Sequence, residues 1–412
     1  MDFFQLITPE KAGQIIRTSF SPSSGCDAVA ISEADSRYAF RDYRAGENIP
    51  GFRRSQVDGY AVRAADTFGA GESLASYLTV QGTLNVHENA SHLSVQPEGC
   101  YRISTGGMLP READAVVMVE YTRSAEGNTV EITRPVSPWE NVIDADEDLK
   151  KGEVVLERGQ RITPFHTGVL ASLGYHQIEV FSAITTSVIC TGDELVGAAQ
   201  KPPPGKIRDV NSSTLSGLLK AWGASPRFMG IVKDDLHSLK KALEMGIRNN
   251  SLVLLSGGSS VGTRDLSVDA IKSFPGFEIL FHGLGLKPGK PTLLAKISGK
   301  PVVGLPGQVL SSVVSFFRVV APIIKNCYAC SDPLKTLMVE AAQNIPGTEG
   351  RENWIRAKIA NRGSRSLVYP IYGKSGVLKS CLHSDGFIIV PGDSEGVHAG
   401  EYCHFTPMEY LF

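Results

Sequence analysis

The apolar run Leu252-Val253-Leu254-Leu255 constrains this chain most, because it empties directly into Ser256-Gly257-Gly258-Ser259-Ser260-Val261-Gly262-Thr263-Arg264-Asp265. A short apolar run bounded by turn residues reads as a strand buried on both faces of a sheet. Gly257, Gly258 and Gly262 permit positive φ and close backbone approach. The amides of such a turn, with the N-terminus of a helix starting near Asp265, then face an incoming phosphate or oxyanion. A plain strand–turn–helix joint would look much the same, so the stretch gains its force from its surroundings.

Those surroundings alternate. Between about residues 183 and 325, strands near Thr186–Cys190, Arg227–Val232, Leu252–Leu255 and Glu278–Leu286 are interleaved with helices. The helices lie near Ser213–Trp222, Leu236–Arg248 and Leu266–Phe274, and a long one near Leu310–Asn326 closes the series. Asn211, Ser212 and Asp234 stand at N-cap positions and Gly223 at a C′ position. The pattern predicts a three-layer α/β domain with a mostly parallel sheet and helices on both faces. Ligands bind such sheets outside the carboxyl ends of the strands.

Upstream, Thr8-Pro9-Glu10-Lys11 opens a short amphipathic helix. Residues 60–133 form a β-rich module, with strands at Tyr77–Val80 and Leu84–Val86 and a hairpin joining Val116–Tyr121 to Val130–Thr133. Pro164–Leu173 is a helix ended by Gly174, followed by a strand at Gln177–Phe181. After a break at Ser331-Asp332-Pro333, a strand-rich piece forms a small β-barrel or sandwich. The expected division is 1–55 with 140–180, an inserted β-rich domain at 56–139, the α/β domain at 181–328 and a β domain at 329–412.

With 412 residues, the chain is too long for one core. Its net charge of −2, without basic runs, argues against nucleic acid as a partner. Seven scattered cysteines indicate a reducing compartment, and the lone Cys327-x-x-Cys330 lacks the second pair that a zinc site needs. The most apolar stretch, Val313–Ile324, is interrupted by Arg318 and Pro322 and is short for a membrane span. A cytoplasmic protein without membrane or nucleic-acid partners is expected.

The polar residues at the predicted strand ends are Thr191-Gly192-Asp193-Glu194, Asp234-Asp235, the serine–glycine turn with Asp265, Lys287-Pro288-Gly289-Lys290-Pro291, and Gly304-Leu305-Pro306-Gly307. Carboxylates for a divalent cation beside amides and lysines for phosphates make a site for a phosphorylated ligand held with metal. No G-x-x-x-x-G-K-[ST] occurs, which weakens a P-loop reading.

In order and spacing these segments resemble the molybdopterin molybdenumtransferase family, which includes the E domain of gephyrin. The N-terminal half contributes Ser55–Ala61, Ser104–Pro110, Ala113–Val117 through Glu120, and Glu147-Asp148 with Lys151-Gly152. The α/β region contributes Thr191–Glu194, the 205–211 stretch, Asp234, the serine–glycine turn and 287–291. Arg351 and Ser375-Gly376 match in the last domain.

The resemblance implies an elongated four-domain homodimer with its site between the α/β domain of one subunit and the N-terminal region of the other. It implies that adenylylated molybdopterin receives molybdate and AMP is released in a Mg²⁺-dependent hydrolysis. Asp58, Asp148, Asp234 and Asp265 are then the catalytic carboxylates, with Asp234 and Asp265 the Mg²⁺ ligands. Thr105, Thr191, Gly192, Glu194, Ser256, Gly257, Gly258, Ser259 and Gly262 hold the pterin ligand. Lys290 also binds the ligand, and Lys287, Arg351 and Ser375 suit a tetrahedral oxyanion, arginine through its planar fork. An adenylylating enzyme and apo-molybdoenzymes are the implied protein partners.

Two departures fall on the oxyanion side. The family's Leu-Pro-Gly-Asn-Pro is here Leu305-Pro306-Gly307-Gln308-Val309, and a frequent upstream lysine is Gly283, beside His282. Tungstate in place of molybdate, or a paralogue weak in insertion, follows as an expectation. The competing readings are a non-catalytic pterin carrier, regulator or scaffold, and a single-domain adenylylating enzyme. The retained carboxylates count against the first and the long N-terminal half against the second.

Overall fold

The computed structural model describes residues 6–23, 25–257, 266–332, 334–363 and 365–411. It divides into one unit of Met1–Arg41, Arg158–Ile162 and Ile178–Phe412, and another of Asp42–Glu157 and Thr163–Gln177.

In the first unit, helix α1 (Pro9–Ser19) starts where Thr8 Oγ1 accepts from the Lys11 N–H, with proline at its first position. The α/β sheet is built from β1 (Thr185–Thr191), β2 (Ser225–Val232), β3 (Leu252–Ser256), β4 (Phe277–His282), β6 (Leu293–Ile297) and β7 (Lys300–Leu305), with the short β5 (Leu286–Lys287) between β4 and β6. Its order is β2-β1-β3-β7-β6-β4, parallel from β2 to β7 and antiparallel beyond.

Side chains alternate across a strand, and here both faces are covered. Val188, Cys190, Leu252, Leu254 and Val303 pack on one side with Leu215 and Leu219 of helix α2 (Asn211–Ala221). Ile189, Val253, Leu255 and Val302 pack on the other with Leu239 and Leu243 of α3 (Leu236–Asn249) and Ile271 of α4 (Leu266–Lys272). Burial on both faces is why β3 is uninterrupted hydrophobic sequence.

Helix α5 (Val309–Cys327) completes the first face and includes a π-helical turn at Phe316–Val320. Among the described residues it is the one helix long and apolar enough to cross a membrane, and 72% of its apolar window is buried inside the protein.

The C-terminal strands are β8 (Leu337–Ala341), β9 (Glu352–Arg362), β10 (Arg365–Pro370), β11 (Gly386–Val390) and β12 (Tyr402–Pro407). Their sheet runs β5-β9-β10-β8-β12-β11 and closes by pairing β9 with β11. Of the expected alternatives the barrel is the one formed, around Val339, Ala357, Val368, Ile388 and Phe405.

In the second unit a sheet runs in the order Ala115–Met118, Gly59–Val62, Gly99–Ile103, Ser76–Leu84, Thr129–Ile132, Thr122–Ser124. Val62, Leu78, Cys100 and Val117 pack on one face, and Ala61, Leu84, Ile103 and Val116 on the other. Helix Pro164–Ser172 is capped by Thr163 and followed by Gly174 at φ +82.

Several local expectations are corrected. The strands expected at 77–80 and 84–86 are one strand, with a register shift between Val80 and Gly82. Thr122–Ser124, rather than Val116–Met118, pairs with Thr129–Ile132, because Ala115–Met118 is taken by Gly59–Val62. The strand expected to run from 278 to 286 stops at His282, where Gly283 adopts φ +110, and resumes as β5 in the barrel sheet. Val210 rather than Asn211 or Ser212 precedes α2, and the Ser212 N–H is taken by Asp209 Oδ1 at 3.1 Å. Pro333 of the expected break lies outside the described residues.

Candidate active site

Because β1, β2, β3 and β7 are parallel, the loops leaving Thr191, Val232, Ser256 and Leu305 emerge at one edge of the sheet. They surround a cavity of about 760 Å³. Thr191, Gly192, Glu194, Asp234, Ser256 and Gly257 line it, with Pro291, Gln308 and Gly376. Asp209 and Asn211, neither of them an expected ligand-binding residue, are also in its wall. A second cavity, of about 680 Å³ beside Arg318, Glu352 and His404, is lined by none of the expected catalytic or ligand-binding residues.

The turn after β3 is tight. Gly257 has φ +99, and a Cβ there would lie 2.1 Å from the Thr191 carbonyl oxygen. Its N–H donates to Leu305 O at 3.3 Å. Ser256 Oγ accepts from Asn211 Nδ2 at 2.8 Å, and the same amide donates to Gly307 O at 2.8 Å, so three loops are tied by one side chain.

Two adjacent aspartates divide their work. Asp235, not Asp234, caps α3 by accepting from the Ser238 N–H at 2.8 Å, and that bond lowers its pKa. Asp234 is thereby left for the cavity. Its Oδ1 accepts from Thr191 Oγ1, and its Oδ2 accepts a long 3.4 Å bond from the Asp193 N–H. Behind them Cys190 is buried, and desolvation first, then the Asp209 charge, push its thiol pKa up.

The residues expected on the oxyanion side fall into two places. Lys287 Nζ donates to Thr348 Oγ1 at 2.8 Å, and Arg351 N–H donates to Thr348 O at 3.1 Å, which gathers both residues at the β5–β9 junction. Neither lines the large cavity, nor does Lys290, whose backbone carbonyl accepts from the Leu284 N–H at 2.9 Å. Ser375 instead reaches the cavity wall through Gln308, whose Oε1 accepts from its Oγ. The Leu310 N–H also donates to Ser375 O, at 3.1 Å.

In the second unit, the Ser55 N–H donates to Gly107 O and the Gly106 N–H returns to Ser55 O, at 2.9 and 2.8 Å. Within this frame Asp58 Oδ1 accepts from Thr105 N at 2.7 Å and Thr105 Oγ1 at 3.1 Å. The backbone bond first, then the hydroxyl, lower the Asp58 pKa. Asp148 is exposed and is placed by its N–H donating to Ile49 O at 3.0 Å. Gly258, Ser259, Gly262 and Asp265 lie outside the described residues.

Comparison with known proteins follows the same architecture. Residues 7–174 match the MoeA N-terminal region (domain I and II), 187–326 a probable molybdopterin binding domain, and 338–408 the MoeA C-terminal region (domain IV). The chain belongs to the MoeA family. A putative molybdopterin biosynthesis protein of Methanocaldococcus jannaschii is 35% identical over 382 residues, covering 90% of each chain. The molybdopterin molybdenumtransferase of Bacillus subtilis is 30% identical over 401 residues, covering 95% of this chain and 93% of its own. A crystal structure of a Pyrococcus horikoshii MoeA protein is 31% identical, covers 98% of this chain and 99% of its own, and superposes with a TM-score of 0.77.

For this MoeA member the departure at Gly283 has a physical reason, since a lysine at φ +110 would be strained. The other departure, Gln308, is the residue that engages Ser375. Among the described residues no group of three or more His, Cys, Asp or Glu forms a metal cluster. Mg²⁺ needs less than that, since it is usually held by one or two carboxylates with waters and substrate phosphates. Asp234, with an oxygen engaged only at 3.4 Å, fits such a role.

Proposed function

We infer that this chain binds adenylylated molybdopterin in the large cavity, accepts molybdate or tungstate at the dithiolene, and releases AMP by Mg²⁺-dependent hydrolysis. Membership of the MoeA family makes it a transferase of molybdenum cofactor biosynthesis. The observation that carries the finer reading is the convergence of Thr191, Glu194, Asp234, Ser256 and Gly257 around one cavity at the carboxyl edge of a parallel sheet.

In this reading the Gly257 turn and the Thr191 loop hold the phosphates, and Asp234 and Asp265 hold Mg²⁺. The ion would supply neutralisation of phosphate charge. Asp58, kept ionised by Thr105, and Asp148, presented by the N-terminal region of the other subunit, orient the attacking water and accept its proton as the anhydride P–O bond breaks. AMP leaves, and the other phosphate stays on the pterin. Lys287, Arg351 and Ser375 recruit the oxyanion, and Lys290 binds the ligand. The chain works as a cytoplasmic homodimer, receives its ligand from an adenylylating enzyme and delivers to apo-molybdoenzymes. The four-part division at 1–55 with 140–180, 56–139, 181–328 and 329–412 belongs to the same proposal.

The test is a defined reaction with adenylylated molybdopterin and Mg²⁺, molybdate and tungstate being added separately. AMP and metal-loaded pterin are the readouts. Both products, lost in Asp234→Ala and Asp265→Ala, are expected. Tight binding without either product would instead favour a carrier or regulator, for which the occupied Ser375 hydroxyl gives a structural motive.

A further inference from the structure

Two side chains in the cavity wall are short of hydrogen-bond donors. Asp209 is 6% exposed and Asn211 7%, and both line the cavity. Among the described residues, Asp209 Oδ2 and Asn211 Oδ1 are buried without a hydrogen-bond partner. The remaining polar atoms are committed, Asp209 Oδ1 to the Ser212 N–H and Asn211 Nδ2 to Ser256 Oγ and Gly307 O. Because Gly307 O can only accept, the asparagine amide cannot flip, and its oxygen stays on the unpartnered side. The Cys190 thiol feels the Asp209 charge and hydrogen-bonds its side chain, but a thiol is a weak donor. Buried acceptors left unmet are destabilising, so a pair of them in one cavity wall calls for a ligand that donates.

We propose that Asp209 and Asn211 are specificity-determining residues that read the 2-amino-4-oxo pyrimidine edge of a pterin, an inference that rests on the proposed function. That edge carries an exocyclic amine and a ring N–H side by side, two donors for two acceptors. Adenine presents one amine flanked by ring acceptors, which would leave one oxygen unmet. The pterin end of the ligand therefore belongs at the start of α2, and Thr191, Asp234 and the Gly257 turn are left for the phosphates.

The experiment titrates the full chain with free pterin, with lumazine (the 2,4-dioxo analogue, lacking the amine) and with AMP. Lumazine is expected to bind wild type at least about tenfold more weakly than pterin, since an unmet buried acceptor discriminates strongly. Asp209→Asn keeps the shape and the cap on Ser212 while exchanging an acceptor for a donor, and should shift the preference toward lumazine. Asn211→Ser, which removes the second acceptor, should narrow the wild-type preference and serves if the first variant does not fold.

Equal binding of pterin and lumazine to wild type would overturn the proposal. So would an equal loss of both in Asp209→Asn, or a loss confined to AMP. A wild type that turns over adenylylated molybdopterin without preferring pterin to lumazine overturns this inference alone. One that binds none of the three and has no turnover overturns the proposed function as well.

Discussion

Asp58 shows how a carboxylate can be tuned without burial. Two donors from Thr105 favour its charged form, and the backbone N–H is the larger influence. Thr105→Val removes only the hydroxyl, so the Asp58 pKa should rise while staying below the ordinary aspartate value, as an NMR titration would read. The sign of the linkage follows: with the folded pKa depressed, the stabilising contribution is present above the unfolded pKa and is lost as pH falls through the folded one. The neighbours Asp234 and Asp235 give a sharper contrast. Asp235→Ala removes the N-cap of α3, so it should lower the melting temperature and leave ligand affinity intact. Asp234→Ala should do the reverse, abolishing AMP release with little change in melting.

Among the elements, α5 links the sheet to the barrel. Its π-helical turn carries Arg318, which forms a two-pronged ion pair with Glu352 at the start of β9. Trp354 Nε1 donates to the same carboxylate, and the Phe317 and Trp354 rings stack 6.1 Å apart. With the Glu352 side chain only 7% exposed, Arg318→Met would strand a buried charge. A loss of about 3–5 kcal/mol in denaturant unfolding is expected. Because β5 pairs with Glu352 and Asn353, the same variant should loosen the strand that carries Lys287. The turn after β3 is equally intolerant. Gly257→Ala must relieve both a left-handed φ and contact with Thr191 O, and should lose about 1–3 kcal/mol together with ligand affinity.

At the scale of the molecule, the cavity depends on a sheet whose two faces are both sealed. Leu254 is fully buried in the layer beneath α2 and α5, so Leu254→Ala should cost about 2–5 kcal/mol. Placed behind the carboxyl edge of the sheet, it should lower the amount of folded protein more than the turnover of what remains folded. The proposed dimer is tested by sedimentation of the full chain, where a monomer across the working concentration range would sink it.

Short-range patterns determined much of this protein before any folding was considered. Thr8-Pro9 dictated a helix start, Leu252–Leu255 a doubly buried strand, and Gly174 and Gly223 helix ends, because these depend on neighbours a few residues apart. The parallel order of β2, β1, β3 and β7 was decided by tertiary pairing, and with it the gathering of Thr191, Asp234, Ser256 and Gly257. Which of Asp234 and Asp235 would cap α3 was likewise settled only when Thr191 came within reach of the other. Asp209 stood in sequence as an aspartate three residues before Ser212, a cap-like spacing that gave no sign of a cavity. Its unmet oxygen, like that of Asn211 and the Gln308 hold on Ser375, exists only in the folded chain, since hydrogen-bond satisfaction belongs to a three-dimensional neighbourhood and not to a residue type.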